Sequence, residues 1–199
     1  MAVIPVEMGE TQLSARQGDR LLAIGLGACV GVCLFDPTVG VAAMVHIVLP
    51  RTPSLPPALP GRRAVVHLPG KCADTAIPNL LAQIQKAGAQ LGRVKAAIVG
   101  GAQIFTPNPT TSPNGSAMSA RLEIGPRNVE AVKKGLAEAR IPIVAEMIGG
   151  YCGRTVTFHV TQGQVCVRPI GAEERVLVTL SERQGPIGES FGKEGILRG

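Results

Sequence analysis

The chain has 199 residues, a length that suits one domain with a sizeable core. Hydrophobic residues make up 45% of it but aromatic residues only 3%, so the core must consist mainly of Val, Ile, Leu and Ala. The net charge of +6 is spread along the chain, and with so few aromatic side chains for base stacking there is no footprint for nucleic-acid binding.

Cysteine usage and the apolar segments indicate where such a protein works. The five cysteines are odd in number and show no CxxC spacing, which argues against a disulfide framework and against a structural zinc site. No apolar run is long enough to span a membrane, and no secretory signal is visible at the N-terminus. We therefore predict a cytoplasmic protein without membrane insertion, in a reducing environment where a free thiolate survives.

The predicted elements are short strands and two helices. In chain order, strands are expected at 3–6 and 20–24, then a hairpin within 25–46, a helix at 75–86, a strand at 94–99, a helix at 128–139, and strands at 142–148, 155–160 and 164–168. Asp74 is expected to cap the first helix. Proline-rich loops are predicted at 50–70 and 106–119.

Strands and helices alternate without a regular βαβ repeat. This order predicts a mixed α/β fold, a layered sandwich with a largely antiparallel sheet and packed helices. We expect a single domain over residues 1–171. Residues 172–199, with one short apolar run, are predicted to form a partly flexible C-terminal extension.

The hairpin is the most informative part of the chain. Two apolar strands flank an Asp-Pro-Thr-Val turn, and a loop centred between Pro37 and Thr38 would place Cys29 directly opposite His46. Directly opposed residues carry their Cβ atoms about 5 Å apart on one face of the sheet. A neighbouring imidazole can take the proton of a thiol and hold the thiolate, so this pair predicts a cysteine nucleophile with a pKa below that of free cysteine.

Other interpretations of the same residues stay open. A loop with an odd number of residues would put the two side chains on opposite faces. A cysteine among Val, Leu and Ala is more often a small buried hydrophobe, and a lone histidine in such a strand is more often a core residue. Gly25, Gly27 and Gly31 flank Cys29; their turn offers N–H groups for an oxyanion or only permits a tight strand entry.

Several short blocks, in this order, resemble the CheD family of chemoreceptor glutamine deamidases. The resemblance covers about residues 21–169 and is carried by LGACV (26–30), the segment 40–50 with His46, KCADTAI (71–77), GGA (100–102), IGPRN (124–128), and the glycines at 149–150 followed by Gly153-Arg154. No single block is decisive, but six blocks in the right order are specific.

The resemblance implies an enzyme that hydrolyses selected glutamine side-chain amides of methyl-accepting chemotaxis receptors to glutamate and ammonia. It implies Cys29 as nucleophile and His46 as base, a thioester intermediate, no metal or organic cofactor, and the CheC phosphatase as a binding partner. Gly27 and Ala28 are candidate oxyanion donors. Thr75 is a candidate substrate contact or a residue of the capping turn, and Gln103 a candidate pocket residue.

Two positions depart from the family pattern. The family usually has a threonine six residues before the nucleophile, where it orients the histidine, but this chain has Ala23. A backbone carbonyl can substitute for that hydroxyl. Cys72 stands where the family commonly has tyrosine. The sequence therefore leaves a second function open, a non-catalytic CheD-like module that binds receptors or CheC, and a third, a Cys/His hydrolase of small amides or nucleosides.

Overall fold

The computed structural model describes residues 1–53, 68–104 and 124–181. The predicted loop at 106–119, most of that at 50–70, and residues 182–199 of the predicted extension lie outside the described residues. The elements, in chain order, are β1 (Val3–Pro5), β2 (Thr11–Ser14), β3 (Arg20–Leu26), β4 (Val30–Asp36), β5 (Val41–Ile47), α1 (Ala73–Lys86), a 3-10 turn (Leu91–Arg93), β6 (Lys95–Gly100), α2 (Ile124–Glu138), β7 (Ile143–Ile148), β8 (Arg154–His159), β9 (Gln164–Pro169) and β10 (Arg175–Thr179).

These strands form two sheets. Sheet I has the order β1-β3-β8-β9-β10, and sheet II has the order β2-β5-β4-β6-β7. The described strands pair antiparallel except for β1 with β3 and β6 with β7, which are parallel. The mixed α/β class and the largely antiparallel pairing are thereby confirmed. Strand β10, from the segment predicted as an extension, pairs with β9.

The molecule is built in three layers, with sheet I on one side, sheet II in the middle and the two helices on the other side. Alternate residues of sheet II point to opposite faces, so β4, β5, β6 and β7 each contribute to two cores. Val30, Val32 and Leu34 of β4 face the helices, whereas Cys33 and Phe35 face sheet I. The strands β4 and β5 are buried along their whole length, which explains why their sequences are mostly apolar.

Two expectations about local structure are wrong. Helix α1 begins at Ala73 with Cys72 as its N-cap residue, and no side chain caps it. The Asp74 carboxylate, in the first turn of the helix, instead accepts hydrogen bonds from the backbone N–H and the hydroxyl of Thr52 (2.8 and 3.0 Å). Helix α2 begins at Ile124, four residues before the predicted start at Asn128.

The predicted hairpin exists, but its register differs from the expected one. Asp36 pairs with Val41 and Gly31 with His46, so the turn is centred between Thr38 and Val39. The expected pairing of Cys29 with His46 is wrong because the ladder is shifted by one residue on each strand. A shift of this kind preserves the face of every side chain.

Candidate active site

Cys29 and His46 lie on the same face of sheet II. His46 follows Met44 by two residues on β5, and Met44 belongs to the core between the two sheets. Cys29, directly before β4, packs against that same core. With His46 opposite Gly31, the two side chains are diagonal neighbours, a relation that typically separates Cβ atoms by about 7 Å. A thiol and an imidazole together are long enough to span such a gap.

The His46 ring is held by a backbone carbonyl. Its Nδ1 lies 3.3 Å from the carbonyl oxygen of Val6, which directly follows β1. Val6 is itself fixed, because its N–H donates to the Leu22 carbonyl and its side chain is buried between the sheets. A carbonyl can only accept, so Nδ1 carries the proton and Nε2 carries the lone pair.

The environment of His46 keeps the ring neutral. Burial lowers its pKa below the ordinary value of 6.5, and the Val6 carbonyl and the charge of Glu7 only partly oppose that shift. His46 is 2% exposed, and its Nε2 has no hydrogen-bond partner among the described residues. A buried, neutral nitrogen with a free lone pair is chemically equipped to accept a proton.

The Cys29 thiol is partly accessible and protonated at rest. Burial raises the pKa of Cys29 above its ordinary value of 9.0, and the thiol's contact with its own backbone N–H only partly offsets this. The expectation of a pKa below that of free cysteine is therefore wrong for the unliganded protein. The reason is that Nε2 of His46 does not hydrogen-bond the sulfur, so no positive charge compensates the loss of water.

The turn that carries Cys29 is bound to the segment after β6. Gly101 donates its N–H to the Cys29 carbonyl (2.8 Å), and Ala102 donates to the Gly27 carbonyl (2.7 Å). Gly100 has a φ of +119°, and a Cβ there would overlap the Cys29 carbonyl oxygen. Only glycine permits this close approach, which explains the Gly-Gly pair at the end of the strand.

The other predicted site residues differ in their position. Gly27 and Ala28 directly precede Cys29, Gln103 lies in the segment bound to that turn, and Thr75 lies at the start of α1. The N–H of Gly27 donates to the Gly25 carbonyl (2.8 Å), which leaves the N–H groups of Ala28 and Cys29 as candidate oxyanion donors. Gln103 is exposed in the segment that binds the turn, and its N–H donates to Gly150. The Thr75 hydroxyl donates within its own helix entry, to the Pro69 and Cys72 carbonyls.

Ala23 is fully buried between the sheets, in the layer that also contains the His46 ring. Its backbone pairs with Val156 in sheet I. The chain thus presents a methyl group at the position where the resembled family usually has threonine, and the Val6 carbonyl binds the ring instead.

Two contacts at the candidate site were not predicted from the sequence, and only one of them has a sequence signal. A backbone carbonyl such as that of Val6 has no sequence signal, because every residue carries one. Asn128 is fully buried in α2, and its amide donates to the Ala28 carbonyl (2.8 Å) and to the Val48 carbonyl (3.0 Å). A polar residue four positions before Val132, on the apolar stripe of a helix, is a visible signal for such a contact.

Within the described ranges, no cluster of three or more His, Cys, Asp or Glu side chains is arranged to hold a metal ion. None of the helices in that part of the chain is both long and apolar enough to cross a membrane.

Comparison with known proteins identifies the family. A family model described as CheD chemotactic sensory transduction matches residues 55–169, more than half of the chain. The probable chemoreceptor glutamine deamidase CheD of Clostridium kluyveri is 36% identical over 172 residues, which are 86% of this chain and 96% of that protein. The chain belongs to the CheD family.

Two further CheD proteins are similar to this chain over most of its length. The probable chemoreceptor glutamine deamidase CheD of Symbiobacterium thermophilum is 38% identical over 86% of this chain and 95% of that protein. The chemoreceptor glutamine deamidase CheD of Thermotoga maritima is 36% identical over 78% and 85%, respectively. The match to the CheD family model begins at residue 55, after the hairpin, so Cys29 and His46 lie outside the matched residues.

Among solved structures, the hypothetical protein YfiH of Bacillus licheniformis aligns over 70% of this CheD-family chain and 49% of its own, with 15% identity and a TM-score of 0.39. That score is too low to establish a common fold.

Proposed function

We propose that this chain is a protein-glutamine deamidase that hydrolyses glutamine side-chain amides of methyl-accepting chemotaxis receptors. The observation that carries the proposal is full-length similarity to proteins named chemoreceptor glutamine deamidase, which at 36% identity extends over 96% of one such protein. The site geometry supports it, because a partly accessible thiol and a buried, unpartnered imidazole nitrogen share one face of sheet II.

In the first half of the reaction, the Cys29 sulfur attacks the carbon of the glutamine carboxamide. His46 Nε2 takes the thiol proton as the S–C bond forms, and the carbonyl oxygen becomes an oxyanion that the Ala28 and Cys29 N–H groups can bind. The C–N bond then breaks. The imidazolium gives its proton to the departing nitrogen, which leaves as ammonia.

In the second half, water opens the thioester. His46 Nε2 removes a proton from the attacking water, and the C–S bond breaks to leave a glutamate side chain. The sulfur regains a proton and the site returns to its starting state. Each step uses groups of this chain and water alone.

We infer that the thiolate forms during attack and is not stored beforehand. With the pKa of Cys29 above 9.0 and that of His46 below 6.5, a thiolate–imidazolium pair is a minor species in the unliganded protein. Docking of a receptor segment over Cys29 would bring the thiol and Nε2 together, since catalytic hydrogen bonds often tighten only in the complex.

The test is ammonia release from purified receptor cytoplasmic fragments. The wild-type protein should release ammonia and add about one dalton to a receptor peptide, and Cys29→Ala should lower the rate by at least about 1,000-fold, since loss of a nucleophile removes the covalent path. Cys152→Ala, which removes an exposed thiol, is the matched control and should keep the wild-type rate. Equal rates for the two variants would refute the mechanism.

A second function is a regulatory module that binds receptors or the CheC phosphatase without turnover. Two observations favour this binding function. Among the described residues Nε2 of His46 has no hydrogen bond to Cys29, and Ala23 stands at the threonine position. It predicts receptor binding that Cys29→Ala leaves intact, with no ammonia from any variant. In either case we propose CheC as a partner, and the cytoplasm as the compartment that keeps a free thiol reduced.

A further inference from the structure

Asn128 connects the helical layer to the two strands that carry the proposed catalytic pair. Its side chain is 0% exposed. One amide hydrogen goes to the carbonyl of Ala28, the residue before Cys29, and the other to the carbonyl of Val48, two residues after His46. Both neighbours are acceptors, so the orientation of the amide is unambiguous, with Nδ2 toward the carbonyls.

The position of Asn128 excludes direct contact with a substrate on the catalytic face. Helix α2 packs on the helical side of sheet II, where Val129, Val132 and Leu136 join the core. Cys29 and His46 face the opposite side, toward sheet I. Asn128 therefore reaches the backbone of the site from behind, and any effect on the chemistry must pass through that backbone.

The Ala28 carbonyl belongs to the same planar group as the Cys29 N–H. Because the peptide unit is rigid, holding the carbonyl at one end fixes the direction of the N–H at the other. The Cys29 N–H lowers the pKa of its own thiol, although burial has the larger and opposite effect. It is also one of the two proposed oxyanion donors. Release of the carbonyl would let the peptide plane rotate away from both tasks.

The second hydrogen bond fixes the other strand. Beyond the last ladder pair of Val30 with Ile47, β4 and β5 have no further mutual pairing. Asn128 hydrogen-bonds both segments at this end of the ladder, at Ala28 and at Val48. It thereby sets the separation of Cys29 from the strand that carries His46. These two hydrogen bonds connect the segments as one further backbone pair between the strands would.

The Oδ1 atom of Asn128 indicates that the two N–H groups, and not the oxygen, are the part of the amide that the structure uses. Asn128 Oδ1 is buried and has no hydrogen-bond partner among the described residues. A buried acceptor without a donor costs free energy, so an apolar side chain would fill the space more cheaply. The cost is consistent with a residue kept for its two N–H groups.

We propose that Asn128 is a positioning residue, which holds the Ala28–Cys29 peptide in the orientation that nucleophilic attack requires. The inference rests on the proposed function for its kinetic readout, but it also predicts the reactivity of Cys29 toward a small alkylating agent.

The experiment compares Asn128→Ala and Asn128→Asp with Val132→Ala, a buried residue one turn further along α2. In receptor deamidation, both Asn128 variants should lose at least about tenfold in kcat with KM changed less than about threefold, because the loss is felt at the oxyanion stage. The Asp variant has the shape of Asn without its donors, so it should be no better than Ala. Val132→Ala should keep kcat within about twofold once folded.

Alkylation by iodoacetamide at pH 8 gives the second readout, with Cys152 of the same molecule as internal standard. The ratio of Cys29 to Cys152 labelling should fall severalfold in the Asn128 variants but not in Val132→Ala. If Asn128→Ala does not fold, Asn128→Ser, which retains one donor, should show intermediate losses in both readouts.

The outcomes separate this inference from the proposed function. Asn128 variants that match Val132→Ala in kcat and in labelling would overturn the positioning role while leaving the deamidase intact. If no protein releases ammonia but the labelling ratio still depends on Asn128, the proposed function fails and the positioning of Cys29 stands.

Discussion

His46 is bound at one nitrogen and unpartnered at the other. The Val6 carbonyl takes the Nδ1 proton, and Nε2 has no partner among the described residues. In cysteine and serine hydrolases the third group keeps the base in one tautomer and one orientation. A main-chain carbonyl can fix the tautomer, although it does not stabilise the imidazolium as a carboxylate does. The imidazole of His46 is thus oriented by a main-chain carbonyl in a chain that has Ala23 where the sequence pattern suggested threonine.

We expect His46 to be neutral and Nδ1-protonated throughout the physiological range. Its pKa is lowered mainly by burial, so the acid limb of kcat/KM for deamidation should have its midpoint below 6.5, with activity lost as the pH falls through the folded-state pKa. Nitrogen-15 NMR of the three imidazoles should assign the tautomer, with His67→Gln and His159→Gln used to separate the signals. An Nε2-protonated ring, or a midpoint above 6.5, would contradict the geometry.

Ala23→Thr tests whether the chain lacks an orienting group. Since the Val6 carbonyl already binds Nδ1, the added hydroxyl should not raise kcat by more than about twofold, and it introduces a polar group into an apolar layer. Ala23→Val, which adds similar bulk without the hydroxyl, is the matched control. A tenfold gain specific to Thr would mean that the carbonyl is a poor substitute.

For single residues, the sequence predicts which side chains share a face of the sheet better than it predicts their hydrogen-bond partners or pKa values. The prediction that Cys29 and His46 share one face of the sheet is confirmed, because the register differs from the expected one by two residues, but their predicted direct pairing is wrong. The Val6 carbonyl could not be predicted, since it comes from a segment 40 residues away along the chain and has no side-chain signature. The raised pKa of Cys29 was also missed, because burial between two sheets is a tertiary property.

Among the elements, the β4–β5 hairpin positions the site, and Asp36 anchors its turn. The fully buried Asp36 carboxylate accepts from the N–H groups of Thr38 and Gln90 and forms an ion pair with Arg93 (2.9 Å). These contacts tie the end of β4 to the 3-10 turn. The hydrogen bond to the Thr38 N–H lies within the turn, which is centred between Thr38 and Val39.

Asp36→Asn should lower the free energy of unfolding by about 2 kcal/mol at pH 7, since a charged acceptor of several hydrogen bonds is replaced by a neutral amide. Burial alone would raise the pKa of Asp36, but Arg93 and the two N–H groups outweigh it and hold that pKa below its ordinary value. The stabilisation is therefore present above about pH 4 and is lost as the pH falls through the folded pKa.

Urea unfolding of wild type and Asp36→Asn at pH 7 and pH 3 measures this dependence. The difference between them should shrink at pH 3. Glu138→Gln, which alters an exposed carboxylate, should stay within about 0.5 kcal/mol of wild type at both pH values. A gap between wild type and Asp36→Asn that widens in acid would rule out a low folded pKa.

Most elements follow from local sequence, and a missed strand depends on pairing with a distant one. Long apolar runs and the two helical periodicities predicted the main strands and helices. Strand β2 was missed because Thr-Gln-Leu-Ser is short and half-buried along its length, with no clear alternation. Its existence depends on pairing with β5, which the sequence of β2 does not reveal.

At the scale of the whole molecule, the division of the strands into two sheets could not be predicted, because it depends on pairings distant in sequence. The two sheets are joined by an apolar layer in which the rings of Phe35, from sheet II, and Phe158, from sheet I, meet edge to face with centroids 6.4 Å apart. In a chain with four Phe and one Tyr, this contact is a large share of the aromatic packing.

Phe158→Ala should destabilise the protein by about 3–5 kcal/mol, because it leaves a cavity between the sheets that small aliphatic neighbours cannot fill. Thermal and urea unfolding should both report the loss. Tyr151→Ala removes an aromatic ring that is 72% exposed and should change the stability by less than about 0.5 kcal/mol. A loss below 1 kcal/mol for Phe158→Ala would mean that the sheets repack around the missing ring.

The segment between β1 and β2 connects sheet I to sheet II. The hydrogen bond between the His46 ring and the Val6 carbonyl joins the two sheets. His46 belongs to sheet II, whereas Val6 is bound to Leu22 of sheet I. A relative displacement of the two sheets would therefore lengthen the hydrogen bond that orients the ring. The imidazole is therefore oriented by a contact between the two sheets, and under the proposed mechanism its action as a base depends on their relative position.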